Sequence, residues 1–115
     1  MKRNRNVRML IAIMVITFSV GTNVSAREII KGKLEVHGNC GMCEKRIEEA
    51  ASSLDGVKFA DWDEKSEMII VKYSPETVNL EDISKAIAEV GHDTEMHEAN
   101  DKVYKKLPAC CKYRE

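Results

Sequence analysis

The feature that most constrains the fold is the order in which strand-like and helix-like patterns alternate along residues 27–98. Two stretches carry apolar side chains at helical spacing, with charged residues on their opposite faces. Strand-like runs precede, separate and follow these stretches, and the two middle runs are joined by a short polar turn. The order βαββαβ therefore predicts an α+β fold, in which two helices cover one face of a four-stranded sheet.

Local signals set the expected boundaries of these elements. The predicted strands cover 27–36, 57–63, 68–73 and 92–97, the last of them weak, and the predicted helices cover 41–54 and 80–90. Asn79 is expected to cap the second helix, with Asp82 three residues further along. A short helix is predicted over 100–106, and Pro108 ends it.

The first 26 of the 115 residues have the composition of a secretory signal peptide. Basic residues without any acid are followed by an apolar run over 9–20 and by the small residues Val24-Ser25-Ala26. The apolar run is shorter than the roughly 20 residues that span a bilayer. We therefore predict a signal peptide over 1–26 and an exported protein, periplasmic or secreted, that meets the membrane only if this segment stays uncleaved.

The charge of the exported part argues against one class of partner. Removal of the leader would leave 14 of the 18 Lys and Arg residues against all 19 Asp and Glu residues. Nucleic-acid binding needs a basic face that offsets the phosphate charge. A nucleic-acid partner is therefore not expected.

The loop Val36-His37-Gly38-Asn39-Cys40-Gly41-Met42-Cys43 places two thiols three residues apart, where a helix begins. Thiolates are soft ligands that select Cu(I), zinc and heavier thiophilic metals, and a helix N-terminus favours the thiolate form. The pair does not by itself supply the four ligands of a closed structural zinc site. Cys40 and Cys43 therefore suit either the transient binding of a metal ion or thiol–disulfide chemistry.

A second pair of thiols, Cys110 and Cys111, lies in the predicted C-terminal tail, 99–115. Adjacent cysteines rarely bond to each other, because their Cα atoms are closer together than disulfide geometry prefers. The tail pair could bind a second soft metal, or fold back to complete a site with Cys40 and Cys43. It could also form disulfides with those cysteines in the absence of metal, and the residues alone leave these alternatives open.

Taken together, residues 30–98 resemble the heavy-metal-associated domain, the module of small copper chaperones, periplasmic mercury-binding proteins and the N-terminal repeats of metal-pumping ATPases. The resemblance rests on motifs that occur in the family's order: Cys40-x-x-Cys43, Leu54-Asp55-Gly56-Val57, Tyr73-Ser74-Pro75 and Gly91-His92-Asp93. It implies a ferredoxin-like βαββαβ fold for residues 27–98, with Cys40 and Cys43 as the metal ligands.

The sequence departs from the family pattern around this motif. Gly38 stands where the family usually has a methionine, and Met42 between the cysteines is expected to be packed or exposed. His92 stands where the family usually presents tyrosine, phenylalanine or lysine towards the metal. His92 is therefore a candidate additional ligand, whereas His37 is expected to point away from the thiols.

The resulting functional prediction is an exported protein that binds a soft metal ion and either delivers it by thiolate exchange or sequesters it. Copper(I) is the first expectation, and Zn(II) and Hg(II) are the alternatives. The resemblance implies a metal-transporting ATPase or another thiol-bearing protein as donor or acceptor. A monomer is expected, and no enzymatic reaction is implied.

The alternative function is that of a thiol–disulfide oxidoreductase that uses the Cys-Gly-Met-Cys sequence. A thioredoxin-type enzyme would need a longer α/β domain and a proline loop that faces the dithiol. Only Pro75 and Pro108 are available for such a loop, one after a hairpin strand and the other in the tail. The element order therefore favours metal binding.

Overall fold

A computed structural model describes residues 28–114 of the chain. The signal peptide predicted over 1–26 lies outside the described residues. Within the described range, no helix has both the length and the apolar character needed to cross a membrane.

A three-stranded antiparallel sheet forms one layer of the fold. Its strands are β1 (Ile30–Glu35), β2 (Val57–Asp63) and β3 (Met68–Tyr73), arranged in the order β1-β3-β2. The bounds of β2 and β3 are those predicted. Leu34 in β1 and Trp62 in β2 both lie opposite Ile69 in β3, so these three buried side chains share one face of the sheet.

Two main helices cover this face, and a shorter one follows. They are α1 (Gly41–Ser52), α2 (Leu80–Glu89) and α3 (Asp101–Lys105). The predicted capping of α2 is confirmed: the Asn79 side chain accepts a hydrogen bond from the Asp82 amide at 2.8 Å, and the Asp82 carboxylate accepts one from the Asn79 amide at 3.2 Å. This reciprocal arrangement satisfies amide groups that the first turn of a helix leaves free.

The fourth strand predicted over 92–97 is wrong for the described structure. This segment makes only an isolated antiparallel bridge, between Thr94 and Val36, the residue that directly follows β1. The Thr94 side chain accepts hydrogen bonds from the amides of Met96 at 3.0 Å and His97 at 2.9 Å. These local bonds turn the chain back immediately after the bridge, because a threonine hydroxyl competes with sheet pairing for nearby amides.

The C-terminal tail packs against the domain. A 3₁₀ helix, Ala109–Cys111, follows α3 and contacts α1. Tyr104, Leu107 and Cys111 are buried in the same apolar cluster as the sheet and the two main helices. This packing brings the second cysteine pair to the start of α1, where the first pair lies.

Candidate metal centre

The first two thiols converge because the chain turns directly beneath them. Cys40 precedes α1 in an extended conformation, and its carbonyl accepts hydrogen bonds from the amides of Cys43 and Glu44, both at 3.0 Å. The turn brings the Sγ atoms of Cys40 and Cys43 to 3.2 Å from each other. Cys43 is fully buried, whereas Cys40 is partly exposed.

The tail brings its two thiols to the same place. The Sγ atom of Cys40 lies 3.4 Å from that of Cys110 and 3.4 Å from that of Cys111. The two tail sulfurs are 4.0 Å apart, and the sulfurs of Cys40, Cys110 and Cys111 form a group whose members all lie within 4.8 Å of one another. The structure therefore has the tail folded back onto the first pair, a position that both a shared metal site and a disulfide with Cys40 would require.

The loop that carries Cys40 is fastened to the core on its other side. The Trp62 indole donates a hydrogen bond to the carbonyl of Val36 at 2.9 Å. Gly38 is packed so closely that a Cβ atom there would lie 3.0 Å from the Cβ of Cys43 and 3.1 Å from the Trp62 ring. Glycine at this position therefore lets the loop run directly over the indole.

The environment separates the acidities of the two motif thiols. Burial opposes ionisation of Cys40, but hydrogen bonds from the thiols of Cys43, Cys111 and Cys110 outweigh it and lower its pKa to about 7. Burial raises the pKa of Cys43 to about 12. In the metal-free protein, Cys40 is therefore the sulfur that ionises most readily of the two.

One cationic side chain lies against the cluster. The Nη1 atom of Arg46, one turn into α1, is 3.3 Å from the Sγ atom of Cys111. A guanidinium carries its positive charge throughout the physiological pH range. Arg46 therefore offsets negative charge where several thiolates would gather.

His92 occupies a different position from the one expected of a ligand. Its ring is fully buried and stacks on Tyr113, with the ring centroids 5.3 Å apart. Its Nδ1 atom bonds to the carbonyl of His37 at 2.8 Å, while its Nε2 atom has no hydrogen-bond partner among the described residues. His92 does not belong to any group of converging metal donors found within residues 28–114.

This burial lowers the pKa of His92, because a charged imidazolium would lose its hydration. The hydrogen bond to His37 opposes the effect, and the nearby charge of Arg46 adds to it. The neutral form of the ring is therefore favoured. That His92 ligates a metal remains a prediction.

The two remaining residues around the motif take the positions expected of them. Met42 is 52% exposed, and its sulfur lies 3.6 Å from the Sγ atom of Cys110. The His37 imidazole is directed to Glu67 at 3.5 Å and does not join the thiols. Both positions agree with the interpretation that neither side chain is a primary ligand.

The sequence analysis missed the residues that hold the tail in place. Tyr113 donates a hydrogen bond through its hydroxyl to the carbonyl of Gly91 at 2.6 Å and accepts one from the amide of Asp93 at 2.8 Å. Arg114 donates two hydrogen bonds to the Asp93 carboxylate, at 2.8 and 3.1 Å. The only sequence signal was an aromatic and a basic residue two and three positions after Cys111, which does not identify their partners.

Comparison with known proteins places this architecture among metal-binding modules. The family model of the heavy-metal-associated domain (HMA) matches residues 33–93, slightly more than half of the chain. The match includes Cys40, Cys43 and His92 and ends before the tail.

Individual relatives have names that refer to copper. The "Copper chaperone CopZ" of Enterococcus hirae is 35% identical over 68 residues, which make up 58% of this chain and 99% of that protein. A "Copper-exporting P-type ATPase" of Staphylococcus epidermidis is 31% identical over 78 residues, which make up 67% of this chain. The chain spans only 9% of the length of that ATPase.

A solved structure supports the fold. The "CopZ metallochaperone" superimposes with a TM-score of 0.55 at 30% sequence identity, covering 56% of this chain and 98% of the other. The described α+β arrangement, with its three-stranded sheet, therefore matches a structural neighbour of that name.

Proposed function

The chain belongs to the heavy-metal-associated domain family, and we propose that it binds a soft metal ion through Cys40 and Cys43 and passes it on by thiolate exchange. The observation that carries this proposal is the convergence of the two sulfurs, 3.2 Å apart, at the N-terminus of a helix. An incoming thiol can replace one of these ligands while the other still holds the ion. Metal transfer then needs no free ion in solution.

Copper(I) is the proposed cargo, with Zn(II) and Hg(II) as alternatives. Thiolates prefer soft ions, and Cu(I) accepts low coordination numbers that two or three sulfurs can supply. The names of the relatives from Enterococcus hirae and Staphylococcus epidermidis refer to copper, which supports this choice. A metal-transporting ATPase or another thiol-bearing protein is the proposed donor or acceptor.

We further propose that the protein acts outside the cytoplasm, as a monomer, and without catalysing a reaction. Export rests on the signal-like segment at 1–26. It is tested by fractionating cells and measuring the intact mass of the protein, which should correspond to a chain that begins at Arg27. A mass that retains the leader, or recovery from the cytoplasm alone, would contradict export.

Metal binding is tested by native mass spectrometry of the reduced protein, titrated with Cu(I), Zn(II) and Hg(II) in the presence of a competing chelator. The wild type should retain Cu(I), whereas Cys40→Ser/Cys43→Ser should lose it to the chelator. Ser52→Ala, an exposed change on the same helix, is the matched control and should behave as the wild type. Unchanged Cu(I) retention by the double variant would show that the site assignment is wrong.

The same samples test the oxidoreductase alternative. Insulin reduction by the metal-free protein, together with a measured reduction potential for Cys40 and Cys43, reports on thiol–disulfide activity. The metal-binding function predicts no turnover above that of the Cys40→Ser/Cys43→Ser variant. Strong turnover without metal would favour the alternative.

A further inference from the structure

The two tail thiols lie outside the matched family module but inside its candidate metal site. The family match ends at residue 93, whereas Cys110 and Cys111 follow much later in the chain. Both of their sulfurs nevertheless lie 3.4 Å from the sulfur of Cys40. Cys40 therefore has three sulfur neighbours, of which only Cys43 comes from the motif itself.

The spacing of these sulfurs suits a single shared ion. A metal–sulfur bond of about 2.3 Å places the ligands of one ion about 3.8 Å apart in a tetrahedron and about 4.0 Å apart in a trigonal plane. The Sγ atom of Cys40 lies 3.2, 3.4 and 3.4 Å from the Sγ atoms of Cys43, Cys110 and Cys111, and the last two are 4.0 Å apart. Shifts of less than about 1 Å would therefore bring Cys40, Cys110 and Cys111 to ligand spacing around one ion.

The tail is held in this position by contacts that do not involve sulfur. Arg114 forms a two-pronged ion pair with Asp93 and also donates a hydrogen bond to the carbonyl of Ala99 at 2.7 Å. The Tyr113 hydroxyl bonds to the backbone at Gly91 and Asp93. Because these groups order the tail before any ion arrives, the two additional ligands are preorganised, which lowers the entropic cost of binding.

The charge around the tail thiols also suits several thiolates. Three thiolates around one Cu(I) ion carry a net charge of −2, and four around one Zn(II) ion carry the same charge. Arg46 places its guanidinium 3.3 Å from the sulfur of Cys111, the buried member of the tail pair. This fixed cation would stabilise such an anionic centre. A site with only two thiolates carries less negative charge and therefore needs this stabilisation less.

We propose that Cys110 and Cys111 bind the same ion as Cys40, the motif cysteine whose sulfur converges with theirs, so that bound Cu(I) has at least three sulfur ligands and leaves slowly. This inference rests on the proposed metal-binding function and deepens it, because it concerns how the ion is held and released. Exposed Cys110, beside Met42, marks the side from which an acceptor thiol can enter. Release of the tail anchored by Arg114 would return the site to the open pair of Cys40 and Cys43.

The test compares the reduced, Cu(I)-loaded full chain with three variants. Cys110→Ser/Cys111→Ser removes the additional ligands. Arg114→Ala keeps every thiol but removes the tail anchor, and Lys106→Ala is the matched control, an exposed basic residue of the same segment. X-ray absorption spectroscopy counts sulfur ligands, and stopped-flow mixing with a chromophoric Cu(I) chelator measures release. Circular dichroism confirms that each variant is folded.

The wild type and Lys106→Ala should show at least three sulfurs and the same slow release. Cys110→Ser/Cys111→Ser should show two sulfurs, at least about tenfold weaker Cu(I) binding, equivalent to 1.4 kcal/mol, and faster release. Arg114→Ala should release copper faster than the wild type while keeping the wild-type sulfur count, a result that does not depend on the folding of the cysteine variant.

Other outcomes would overturn the inference in distinguishable ways. Two sulfurs in the wild type, with unchanged affinity in Cys110→Ser/Cys111→Ser, would refute the role of the tail while leaving the proposed function intact. Wild-type release kinetics in Arg114→Ala would refute the claim that Arg114 slows copper release by holding the tail in place. A disulfide between Cys40 and a tail cysteine that persists under reducing conditions would also overturn the inference. Absence of Cu(I) binding in every sample would overturn the proposed function as well.

Discussion

Replacing Gly38 by alanine should destabilise the protein through a steric clash beneath the loop that carries Cys40. The added Cβ atom would lie 3.0 Å from the Cβ of Cys43, and 3.1 and 3.2 Å from two carbons of the Trp62 indole. Comfortable carbon–carbon contacts are about 3.5–4.0 Å. Gly38 is not one of the described glycines with a positive φ, so the expected effect comes from packing and not from backbone strain.

The size of the effect follows from how little its neighbours can move. Cys43 is 0% exposed and Trp62 is 1% exposed, and the indole is also held by its hydrogen bond to Val36. Overpacking of this kind typically costs about 1–3 kcal/mol. Loss of the glycine's freedom in the unfolded chain returns about 0.4–1 kcal/mol where the backbone is compatible. From the middle of both ranges, we therefore expect a net loss of about 1 kcal/mol in the free energy of unfolding.

Urea denaturation of the reduced, metal-free protein, followed by circular dichroism, measures this loss. Gly41→Ala is the matched control, because no atom lies within 4 Å of the position of its added Cβ. Gly41 is the first residue of α1, so alanine there should leave the stability unchanged or raise it by up to about 1 kcal/mol.

A double-mutant cycle identifies the clash as the cause. Trp62→Phe removes the two ring carbons nearest to Gly38 and therefore makes space for the alanine methyl group. The cost of Gly38→Ala should be smaller in the Trp62→Phe background, with a coupling energy of about 0.5–3 kcal/mol. Additive effects of the two changes, or wild-type stability of Gly38→Ala alone, would refute this reasoning.

Three further predictions concern the thiols, the buried histidine and the tail. In the reduced, metal-free protein at pH 7, limiting iodoacetamide should modify Cys40 before the more exposed Cys110. The reason is that the pKa of Cys40 is about 7, whereas the hydrogen bond to Cys40 raises the pKa of Cys110 to about 11. Peptide mass spectrometry identifies the modified cysteine, and modification of Cys110 first would contradict this prediction. The pKa of His92 is lowered by burial from the ordinary value of 6.5, so the unfolded chain takes up more protons below that pH, and the free energy of unfolding should fall as the pH drops from 7 to 5. The free energy of unfolding should depend less steeply on pH in His92→Phe. Urea titrations at several pH values measure this dependence, and an equal dependence in both proteins would contradict its assignment to His92. Tyr113→Phe should lose about 1–3 kcal/mol of stability, because a partly buried amide and a partly buried carbonyl lose their hydrogen-bond partner. Tyr73→Phe is the control: its hydroxyl has no protein hydrogen-bond partner among the described residues, so its stability should change by less than about 0.5 kcal/mol. Equal losses for the two variants in denaturation experiments would contradict this prediction.

Much of the fold follows from short-range patterns in the sequence. The spacing of Ile47, Ala50 and Ala51 predicts the buried face of α1, and these side chains are buried. The capping residues of α2 are likewise three positions apart, so their interaction depends only on local backbone geometry. The sulfurs of Cys40 and Cys43 converge for the same reason.

The failed fourth strand shows where local patterns give way to other interactions. Residues 92–97 have weak strand character, and their backbone amides can pair either with β1 or with nearby side chains. Thr94 captures two of these amides, and the carboxylate of Asp93 accepts a hydrogen bond from the amide of Ala99 at 2.7 Å. Periodicity does not report this competition, because it describes side-chain burial and not the choice of hydrogen-bond partner.

The sequence by itself determined the paired thiols, the helices that bury their apolar faces, and the preference for a soft ion, because spacing and side-chain chemistry decide each of these. Only the tertiary structure decided that the tail docks on the loop that carries Cys40, that His92 is buried beneath Tyr113, and that Arg46 lies against a thiol. Cys40 and Cys111 are separated by 71 positions, and their 3.4 Å approach depends on the distant contacts of Tyr113 and Arg114. Such contacts form only when remote segments pack together, and no local pattern encodes which of the possible partners they select.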